Sequence, residues 1–482
     1  MPVVGLTALV LIPPLVLIAV IVPGLRYEPV TQSTAADIKT NGLPSRPTSL
    51  SPDDVWHQDF DNLLDVTSGA AGPVVLAEEG VVGLDPADGT RRWSYHRQDA
   101  TYLSVPEASG IALYGVDYFR PPQSQYLITS PDERYIALRV DGPGRVMPQT
   151  PPCVTIVLDA VTGEVVSEHL SDGGPLQLTD SAVLDGTIAY ELDKGAKLWD
   201  LKAIGIKAES IRYSGTAGHS SFVLGFTHES DSDTGFSHGT LTLAPQDAPS
   251  QQRQSPPLML EVDQEHLVVI AGWTVAIKGG GPSDLSGSPT EGWQAQALSL
   301  DAMAGVAGAD THAHDLGAGY GIGDAASRSS GRLALLSSPT PWQGSYAGYS
   351  PSQEWCAATT VSAVFDPRSR TVTGASDTPG LAAGAVGLSH GQPDDAEGDH
   401  VVIRPGGGAS QITFPLDPPP AEPMTIDDGY NPDLKEINTA VRGQADITGA
   451  STPGATLVII IGVPIDHQSH ATMRIYGLPA PP

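Results

Sequence analysis

The amino-acid sequence predicts an all-β protein that follows one membrane-spanning helix at the N-terminus. From about residue 51 onward, short apolar or alternating runs are separated by clusters of Gly, Pro, Asp and Ser, which is typical of strands and turns. A strand–turn–strand unit recurs within this region. An uncharged run of residues 2–25 precedes it. These observations predict an anchor, a connecting segment and one large β domain.

The composition excludes several functional classes. The chain has 482 residues, with 25 Lys and Arg against 55 Asp and Glu, a formal net charge of −30 and two cysteines. A surface this acidic repels phosphate backbones, so we expect no nucleic-acid partner. Two cysteines are too few for a disulfide-stapled array or a cysteine zinc cluster. A hydrophobic content of 40% is too high for a wholly disordered chain.

Residues 2–25 are predicted to form a transmembrane signal-anchor within segment 1–25. The run has about the 20 apolar residues that span a hydrocarbon core. Pro13 and Pro14 at its centre would break a helix in water, but lipid tolerates the kink better. A cleaved signal peptide is the alternative, although no basic residue precedes the run and the cleavage-like site at 33–35 lies late.

The charges near the apolar run do not decide on which side of the membrane the large domain lies. Arg26, the nearest basic residue, lies on the C-terminal side, which by the positive-inside rule would place the large domain in the cytoplasm. The body of the chain nevertheless has the character of an exported protein, and we expect an extracytoplasmic domain. Residues 26–50 are polar and punctuated by Pro, which predicts a flexible tether before the domain at 51–482.

The clearest repeating unit is GPVVLAEEGVVGLDPADGTRRWSY at residues 72–95. Two apolar strands flank a short turn, and a second tight turn leads into a returning strand. Asp85 can cap this second turn, Pro86 presets its φ, and Gly89 supplies the left-handed residue of a bulged hairpin. The unit therefore predicts one antiparallel sheet.

Further units repeat the offset between the turn Asp and Gly, although their spacing is irregular. The segment at 362–374 has the Asp but lacks the Gly, and weaker echoes occur near Asp200, at 241–254, at 401–414 and near Asp466. The complete repeats are Asp159 with Gly163 in 155–169 and Asp301 with Gly305 in 297–308; the incomplete one is Asp366.

LDPADGTRRWSY resembles the repeat of pyrroloquinoline-quinone-type (PQQ-like) β-propellers, in which an Asp-containing turn, Gly and Trp form the outer hairpin of a blade. SPDERYIAL, within residues 126–140, is similar to the blade opening of WD40 and TolB-like propellers. The resemblance implies a seven- or eight-bladed β-propeller over 51–482, since blades of about 40–50 residues bury their faces only by stacking around an axis. A pair of β-sandwiches is the alternative all-β architecture.

The end of the chain suggests how such a ring would close. The apolar run at 455–464 and the strand MRIYGLP after it are candidates to complete a blade begun by residues 51–76. Closure of this kind removes exposed sheet edges.

Several polar motifs match chemical sites only in part. Gly387-Leu388-Ser389-His390-Gly391 has the spacing of a nucleophile elbow, but no helix pattern follows it, so a plain turn is expected. The other motifs have the residue types of cation sites, yet all lie in polar stretches where solvated loops are expected. They are Asp310, His312, His314 and Asp315; His467 and His470; Asp231, Asp233 and Gly235; and Asp394, Asp395, Glu397 and Asp399.

The cysteines and tryptophans also indicate whether the chain has a catalytic or cofactor-binding site. Cys153 and Cys356 each precede a candidate inner strand, and either a disulfide or two buried thiols fits them. Trp93 and Trp199 are expected to pack between blades. The resemblance implies that a genuine quinone dehydrogenase would be Trp-rich with a vicinal cysteine pair, which this chain lacks. We therefore expect no catalytic, cofactor-binding or metal site.

The sequence favours a membrane-anchored, extracytoplasmic propeller without catalytic activity. Its expected role is a binding or assembly scaffold for an envelope protein or polymer. The alternative is a divergent propeller enzyme, a hydrolase or a quinone- or metal-dependent oxidoreductase, with its site at the central channel. That alternative requires His and carboxylate side chains that converge at the channel mouth.

Overall fold

A computed structural model of the protein shows an almost entirely β architecture. The helices with described bounds are α1 (Leu300–Ala304) and two short 3-10 turns, Thr40–Gly42 and Ala375–Asp377. The all-β prediction is therefore confirmed. The structure describes residues 29–61, 63–105, 125–141, 153–206, 213–231, 236–260, 267–279, 292–323, 327, 330–337, 353–357, 361–378, 380–389, 400–407, 409–415, 445–462 and 472–480.

The predicted anchor at 2–25 lies outside the described residues. Within the part of the chain that is described, no helix is both long enough and apolar enough to cross a bilayer.

The first two sheets are built from consecutive strands, except that the second strand of the chain belongs to the last sheet. Sheet 1 has the order β1-β6-β5-β4-β3, and sheet 2 has the order β11-β10-β9-β7 with β8 paired to β9. The strands are β1 Val30–Ser33, β2 Trp56–Asp61, β3 Asp65–Gly69, β4 Gly72–Ala77, β5 Gly80–Leu84, β6 Arg91–Arg97, β7 Tyr102–Leu103, β8 Ile128–Thr129, β9 Tyr135–Asp141, β10 Cys153–Asp159 and β11 Val165–Ser171.

The next two sheets follow in chain order. Sheet 3 has the order β15-β14-β13-β12-β16, and sheet 4 the order β17-β18-β20-β21-β22-β23 with β19 paired to β18. The strands are β12 Leu176–Leu178, β13 Ala182–Asp185, β14 Ile188–Glu191, β15 Lys197–Asp200, β16 Gly215–Thr216, β17 Ser221–Asp231, β18 Phe236–Pro245, β19 Arg253–Gln254, β20 Leu258–Met259, β21 Trp273–Ile277, β22 Trp293–Ser299 and β23 His314–Gly319.

Three more sheets complete the described structure. Sheet 5 has the order β24-β26-β27, sheet 6 the order β25-β28-β29-β30, and sheet 7 the order β2-β33-β32-β31. The strands are β24 Leu333–Leu336, β25 Gln353–Ala357, β26 Val361–Asp366, β27 Thr371–Gly374, β28 Gly380–Ser389, β29 His400–Gly406, β30 Ile412–Pro415, β31 Ala445–Thr452, β32 Ala455–Gly462 and β33 Thr472–Pro479.

The sheets pack face to face in chain order, and the last packs on the first. Because central strands such as β10 are covered on both faces, they appear in the sequence as nearly continuous apolar runs. The turn at Ala375–Asp377 connects sheets 5 and 6. The other interfaces contain Trp93 and Leu138 (sheets 1 and 2), Val157 and Leu176 (2 and 3), Leu184 and Phe222 (3 and 4), Trp273 and Phe365 (4 and 5), Phe414 and Tyr476 (6 and 7), and Leu457 and Val82 (7 and 1).

An early strand closes this circular order. β2 pairs antiparallel with β33, with Trp56 opposite Gly477 and Asp61 opposite Thr472. The Arg474 guanidinium donates to both carboxylate oxygens of Asp59, at 2.6 and 2.8 Å. The C-terminal run was predicted to complete a blade begun by residues 51–76, and it does share a sheet with β2 at 56–61. Residues 65–76 instead lie in sheet 1, because β3 and β4 pair with each other and with β5. A closed circle of packed, mainly antiparallel sheets is the arrangement expected of a β-propeller.

A buried charged network joins sheets 2 and 3. The Arg139 guanidinium donates to Asp185 Oδ1 at 2.5 Å, and Ser171 Oγ donates to the same oxygen at 2.6 Å. The His169 ring contacts Asp185 Oδ2 at 3.0 Å. Burial alone would raise the pKa of Asp185, but the His169 hydrogen bond and the Arg139 charge outweigh it and lower that pKa.

The Asp-containing turns have the geometry that the sequence predicts. In two of them, Gly89 and Gly163 donate their backbone N–H to the carbonyl of the turn Asp and have φ of 73° and 76°. In the third, Gly305 has φ of 77° after helix α1. In the turn at Asp366, where the sequence lacks Gly, Arg370 takes the same left-handed conformation with φ of 55°. The turn thus requires the conformation and tolerates a non-glycine residue.

Tryptophans dock these turns onto the neighbouring sheet. The Trp93 indole N–H donates to Ala160 O at 3.1 Å, and that of Trp199 donates to Gln246 O at 2.6 Å. Trp56 makes the same contact with Pro86 O at 3.0 Å. The packing role predicted for Trp93 and Trp199 is confirmed, because each joins two successive strand hairpins across a sheet interface.

The fit between Trp93 and the turn at Gly163 can be tested with two glycine substitutions. In Gly163→Ala the new Cβ would lie 2.7 Å from the Trp93 ring, whereas in Gly308→Ala it would meet nothing within 4 Å. Both glycines have nearly the same φ, 76° and 78°, so both variants carry a similar backbone cost. We expect Gly163→Ala to lower the free energy of unfolding by about 1–3 kcal/mol more than Gly308→Ala. Urea unfolding followed by circular dichroism measures the difference, and equal losses would contradict indole docking.

Candidate functional site

The turns that follow β3, β8, β12 and β16 meet on one face of the ring. The Ala70 N–H donates to Glu133 O at 2.8 Å, which joins the first turns of sheets 1 and 2. The Asp132 N–H donates to Asp180 Oδ1 at 3.0 Å, and the Asp180 N–H to His219 O at 3.2 Å. These contacts continue the series into sheets 3 and 4. We call the surface formed by turns 70–71, 130–134, 179–181 and 217–220 the inner-turn face.

The segment after β1 crosses the inner-turn face from the rim. The Ala35 N–H donates to Thr162 O at 2.9 Å, and the Arg134 guanidinium donates to Asp37 at 3.1 Å. Ser45 O accepts the N–H of Gly454, a residue of sheet 7, at 2.8 Å. From position 30 onward, the segment expected to be a tether therefore lies against the ring. Its polar, Pro-rich composition does not reveal these contacts, because most are made by backbone groups and single side chains.

Arg46 at the end of this crossing is held by residues of three sheets. Its guanidinium pairs with Glu133 and donates to Ser68 Oγ at 3.1 Å. It lies against Gly331 of the turn before β24, where a Cβ would be 2.5 Å from it. Glu133 also pairs with Arg368. The side chains of Arg46 and Glu133 are 10% and 12% exposed, and burial lowers the pKa of Arg46. One carboxylate thus joins the N-terminal segment, sheet 2 and sheet 5.

A second polar cluster lies beside this ion pair. The His219 Nδ1 is 2.7 Å from Asp180 Oδ2, and Ser130 Oγ donates to Asp132 Oδ1 at 2.6 Å. The side chains of His219 and Asp180 are 42% and 29% exposed, so the cluster reaches solvent. We call Asp132, Asp180 and His219 the His–Asp cluster.

The electrostatics of the His–Asp cluster favour bound protons. The hydrogen bond that the protonated His219 ring donates to Asp180 raises the pKa of His219, and the charges of Asp180, Asp301 and Asp132 raise it further against the effect of burial. Burial raises the pKa of Asp132, and the neighbouring Asp180 charge adds to this effect. Among the described residues no hydroxyl or thiol is hydrogen-bonded to the His219 ring. The arrangement can therefore recognise polar groups through the Asp180 carboxylate as acceptor and the His219 ring as donor.

The structure does not bring the DTHAHD residues together as a cation site. The His314 ring lies at the interface of sheets 4 and 5, 5.5 Å from Trp273 and 4.9 Å from Phe365, and burial lowers its pKa. The histidine rings at 312 and 314 are 4.7 Å apart. The neighbouring carboxylates belong to ion pairs, Asp310 with Arg370 at 2.9 Å and Asp315 with Lys278. Within the described part of the chain, no group of three or more possible ligands could hold a metal ion.

The remaining sequence motifs lie on strands or outside the described residues. Gly387 to Ser389 lie in β28, so these three residues form a strand where a plain turn was expected. Cys153 is a buried free thiol whose Sγ is 3.8 Å from Ser171 O, and Cys356 lies on β25. Asp231 ends β17. The residues outside the described part are Asp233, Gly235, His390, Gly391, Asp394, Asp395, Glu397, Asp399, His467 and His470.

Comparisons with known proteins give likeness of overall structure only. No protein-family model matches the chain, and no curated protein sequence is significantly similar to it. The β-propeller domain of the Trilobed protease from Pyrococcus furiosus, described as having an open velcro topology, aligns with a TM-score of 0.29 and 9% identity. The alignment covers 83% of this chain and 91% of that one.

Two peptidase structures are similar at the same level. An acylaminoacyl peptidase from Pyrococcus horikoshii has a TM-score of 0.24 and 9% identity, over 70% of this chain and 58% of that one. A dipeptidyl peptidase 4 from Porphyromonas gingivalis has a TM-score of 0.25 and 10% identity, over 91% and 68%. Scores this low carry no argument about activity, so the fold is argued from the sheets and the site from its residues.

The contact between Arg46 and Glu133 predicts how the crossing segment is held. Arg46→Met keeps most of the side-chain volume but removes one of the two arginines that pair with Glu133, so that Arg368 remains. The control variant, Lys39→Met, removes an exposed charge from the same segment. We expect Arg46→Met to increase the rate of limited proteolysis between residues 34 and 50 at least fivefold, and Lys39→Met to change it less than twofold. N-terminal sequencing of the fragments measures this, and similar rates for both variants would show that Arg46 does not hold the segment.

The raised pKa of His219 predicts a pH dependence of stability. Because the folded pKa lies above the unfolded one, the stabilisation is fully present below the unfolded pKa and is lost as pH rises through the folded pKa. Asp180→Asn should lower the pKa of His219, and its stability deficit relative to wild type should shrink as pH rises through that range. Histidine NMR titration, assigned with His219→Gln, and urea unfolding at several pH values measure both effects. An unmoved His219 titration in Asp180→Asn would contradict the assigned pairing.

Proposed function

We propose that this protein is a membrane-anchored, extracytoplasmic β-propeller that acts as a non-catalytic binding or assembly scaffold for an envelope protein or polymer. Residues 2–25 provide the anchor in this proposal. The observation that carries it is the ion pairing of Glu133 on the inner-turn face. There Glu133 pairs with Arg46 of the N-terminal segment and with Arg368 of sheet 5, and this favours a rigid disc that presents its surface.

The finer fold assignment belongs to the same proposal. The Asp-containing turns and the docked indoles support a PQQ-like repeat with features of WD40 blades. Seven sheets are described, and the seven strands of sheet 4 are enough for more than one blade. This supports seven or eight blades.

The His–Asp cluster is the part of the inner-turn face that we propose as the docking surface. Its partly exposed carboxylate suits cationic or hydrogen-bond-donating groups of a partner, and the imidazole with its raised pKa can donate a hydrogen bond to an acceptor. The same pair is the observation that favours the alternative, a propeller enzyme in which His219 acts as a general acid or base. The contacts of Arg46 favour the scaffold, because they tie the N-terminal segment to turns of sheets 1, 2 and 5 and so support a rigid surface.

The proposal is tested by brief crosslinking in native membranes, affinity purification in mild detergent, and mass spectrometry. Wild type is compared with the double variant Asp180→Asn/His219→Gln and with a matched control, Asp54→Asn/His57→Gln, whose residues are exposed on another part of the ring. We expect one near-stoichiometric envelope partner with wild type and control, and at least tenfold less of it with the cluster variant.

The other outcomes separate the alternatives. Equal recovery of the partner by all three proteins would reject the His–Asp cluster as the docking surface. Recovery of the chain alone, together with a metal or organic cofactor in the purified protein, would reject the scaffold in favour of the enzyme.

A further inference from the structure

The path of the chain into the ring is fixed by β1. β1 pairs antiparallel with β6 at the outer edge of sheet 1, with Val30 opposite Arg97 and Ser33 opposite Ser94. The Gln98 N–H donates to Pro29 O at 3.1 Å and extends this pairing. β6 follows the turn at 85–90 on the inner-turn face and ends at Arg97, so Pro29 lies at the other end of sheet 1. The chain enters there and reaches the inner-turn face only after Ser33.

This path leaves little chain between the proposed anchor and the ring. Only residues 26–29 separate the apolar run at 2–25 from β1. Four extended residues span at most about 14 Å. A flexible tether of the 25 residues at 26–50 would instead have had a root-mean-square span of about 25–30 Å. The docking of β1 therefore shortens the connection between the anchor and the ring to about half of that span.

We propose that the ring stands on the bilayer at sheet 1, with the Gln98 end of that sheet next to the lipid headgroups and the inner-turn face directed away from them. This inference rests on the anchor in the proposed function. It places the His–Asp cluster on the side open to soluble or polymeric partners.

The charges at this contact indicate which lipid surface it fits. The Gln98 end of sheet 1 presents Glu78 and Asp99, both exposed, and Glu79, which pairs with Arg91. Carboxylates are repelled by anionic headgroups, so the short connection and not charge attraction holds the rim in place. A zwitterionic phosphatidylcholine surface is the one that this rim tolerates best.

The experiment uses full-length protein in phosphatidylcholine nanodiscs that carry an acceptor dye on the headgroups. Cys356→Ser removes one native thiol, and the buried Cys153 is left in place. Single donor labels are introduced at Gln98→Cys or at Ala87→Cys. Both positions are exposed and they flank β6, whose length separates them by about 20 Å. Energy transfer from each label to the headgroups is measured.

We expect at least threefold higher transfer efficiency from position 98 than from position 87. A 20-residue Gly/Ser insertion after Arg26 should abolish this difference, because the longer linker no longer fixes the ring. Equal efficiencies, or a higher one at position 87, in protein that co-purifies with the nanodisc would overturn the orientation and leave the anchor intact. Protein that does not associate with nanodiscs at all would overturn the anchor itself and the orientation with it. Thermal unfolding of each labelled variant verifies that the fold is retained.

Discussion

The pairing of β2 with β33 is the constraint on which the circular packing depends. It joins residues 415 positions apart in sequence through the salt bridge of Asp59 and Arg474. Without it, sheet 7 would lose its outermost strand and the ring would carry an open edge. The Asp59 hydrogen bond raises the pKa of Arg474, and the Arg474 hydrogen bond lowers the pKa of Asp59, so the charged forms strengthen the closure. Closing so long a loop costs entropy, which the strand pairing and the apolar interfaces on both sides of sheet 7 must offset.

The structural role of the repeating Asp-containing turn depends on its contacts between sheets. Within one hairpin, the Asp side chain and the left-handed residue only shape the turn. Between sheets, the turn provides the carbonyl and the flat backbone surface on which an indole lies, as Trp93 does on Gly163. At Gly305 the neighbouring side chain is the Arg253 guanidinium, a planar group that comes from the same sheet 4. The offset within each turn is therefore fixed by docking, while the loops between turns are free to differ in length.

This distinction explains what could be predicted from the sequence. The turns, the strands that flank them and the role of Trp93 follow from patterns a few residues long, so they were predictable. The pairs Arg46 with Glu133 and His219 with Asp180 join residues 87 and 39 positions apart. No local pattern marks them, because only the circular packing brings those turns together. The DTHAHD residues are separated by local geometry: successive residues of a strand point to opposite faces, which sends His314 into an interface and Asp315 to Lys278.

The N-terminal segment has a mechanical consequence for any anchored form of the protein. Residues 29–61 contact sheets 1, 2, 5 and 7. The contacts are made by β1, Asp37, Arg46 and β2. A force applied before residue 29 therefore acts first on the β1–β6 pairing at the rim, and reaches the Arg46 ion pair only after β1 has been pulled off. The β2–β33 closure lies still further along the chain. Such an arrangement would allow an anchored ring to bear load at its edge while the strand that closes it remains paired.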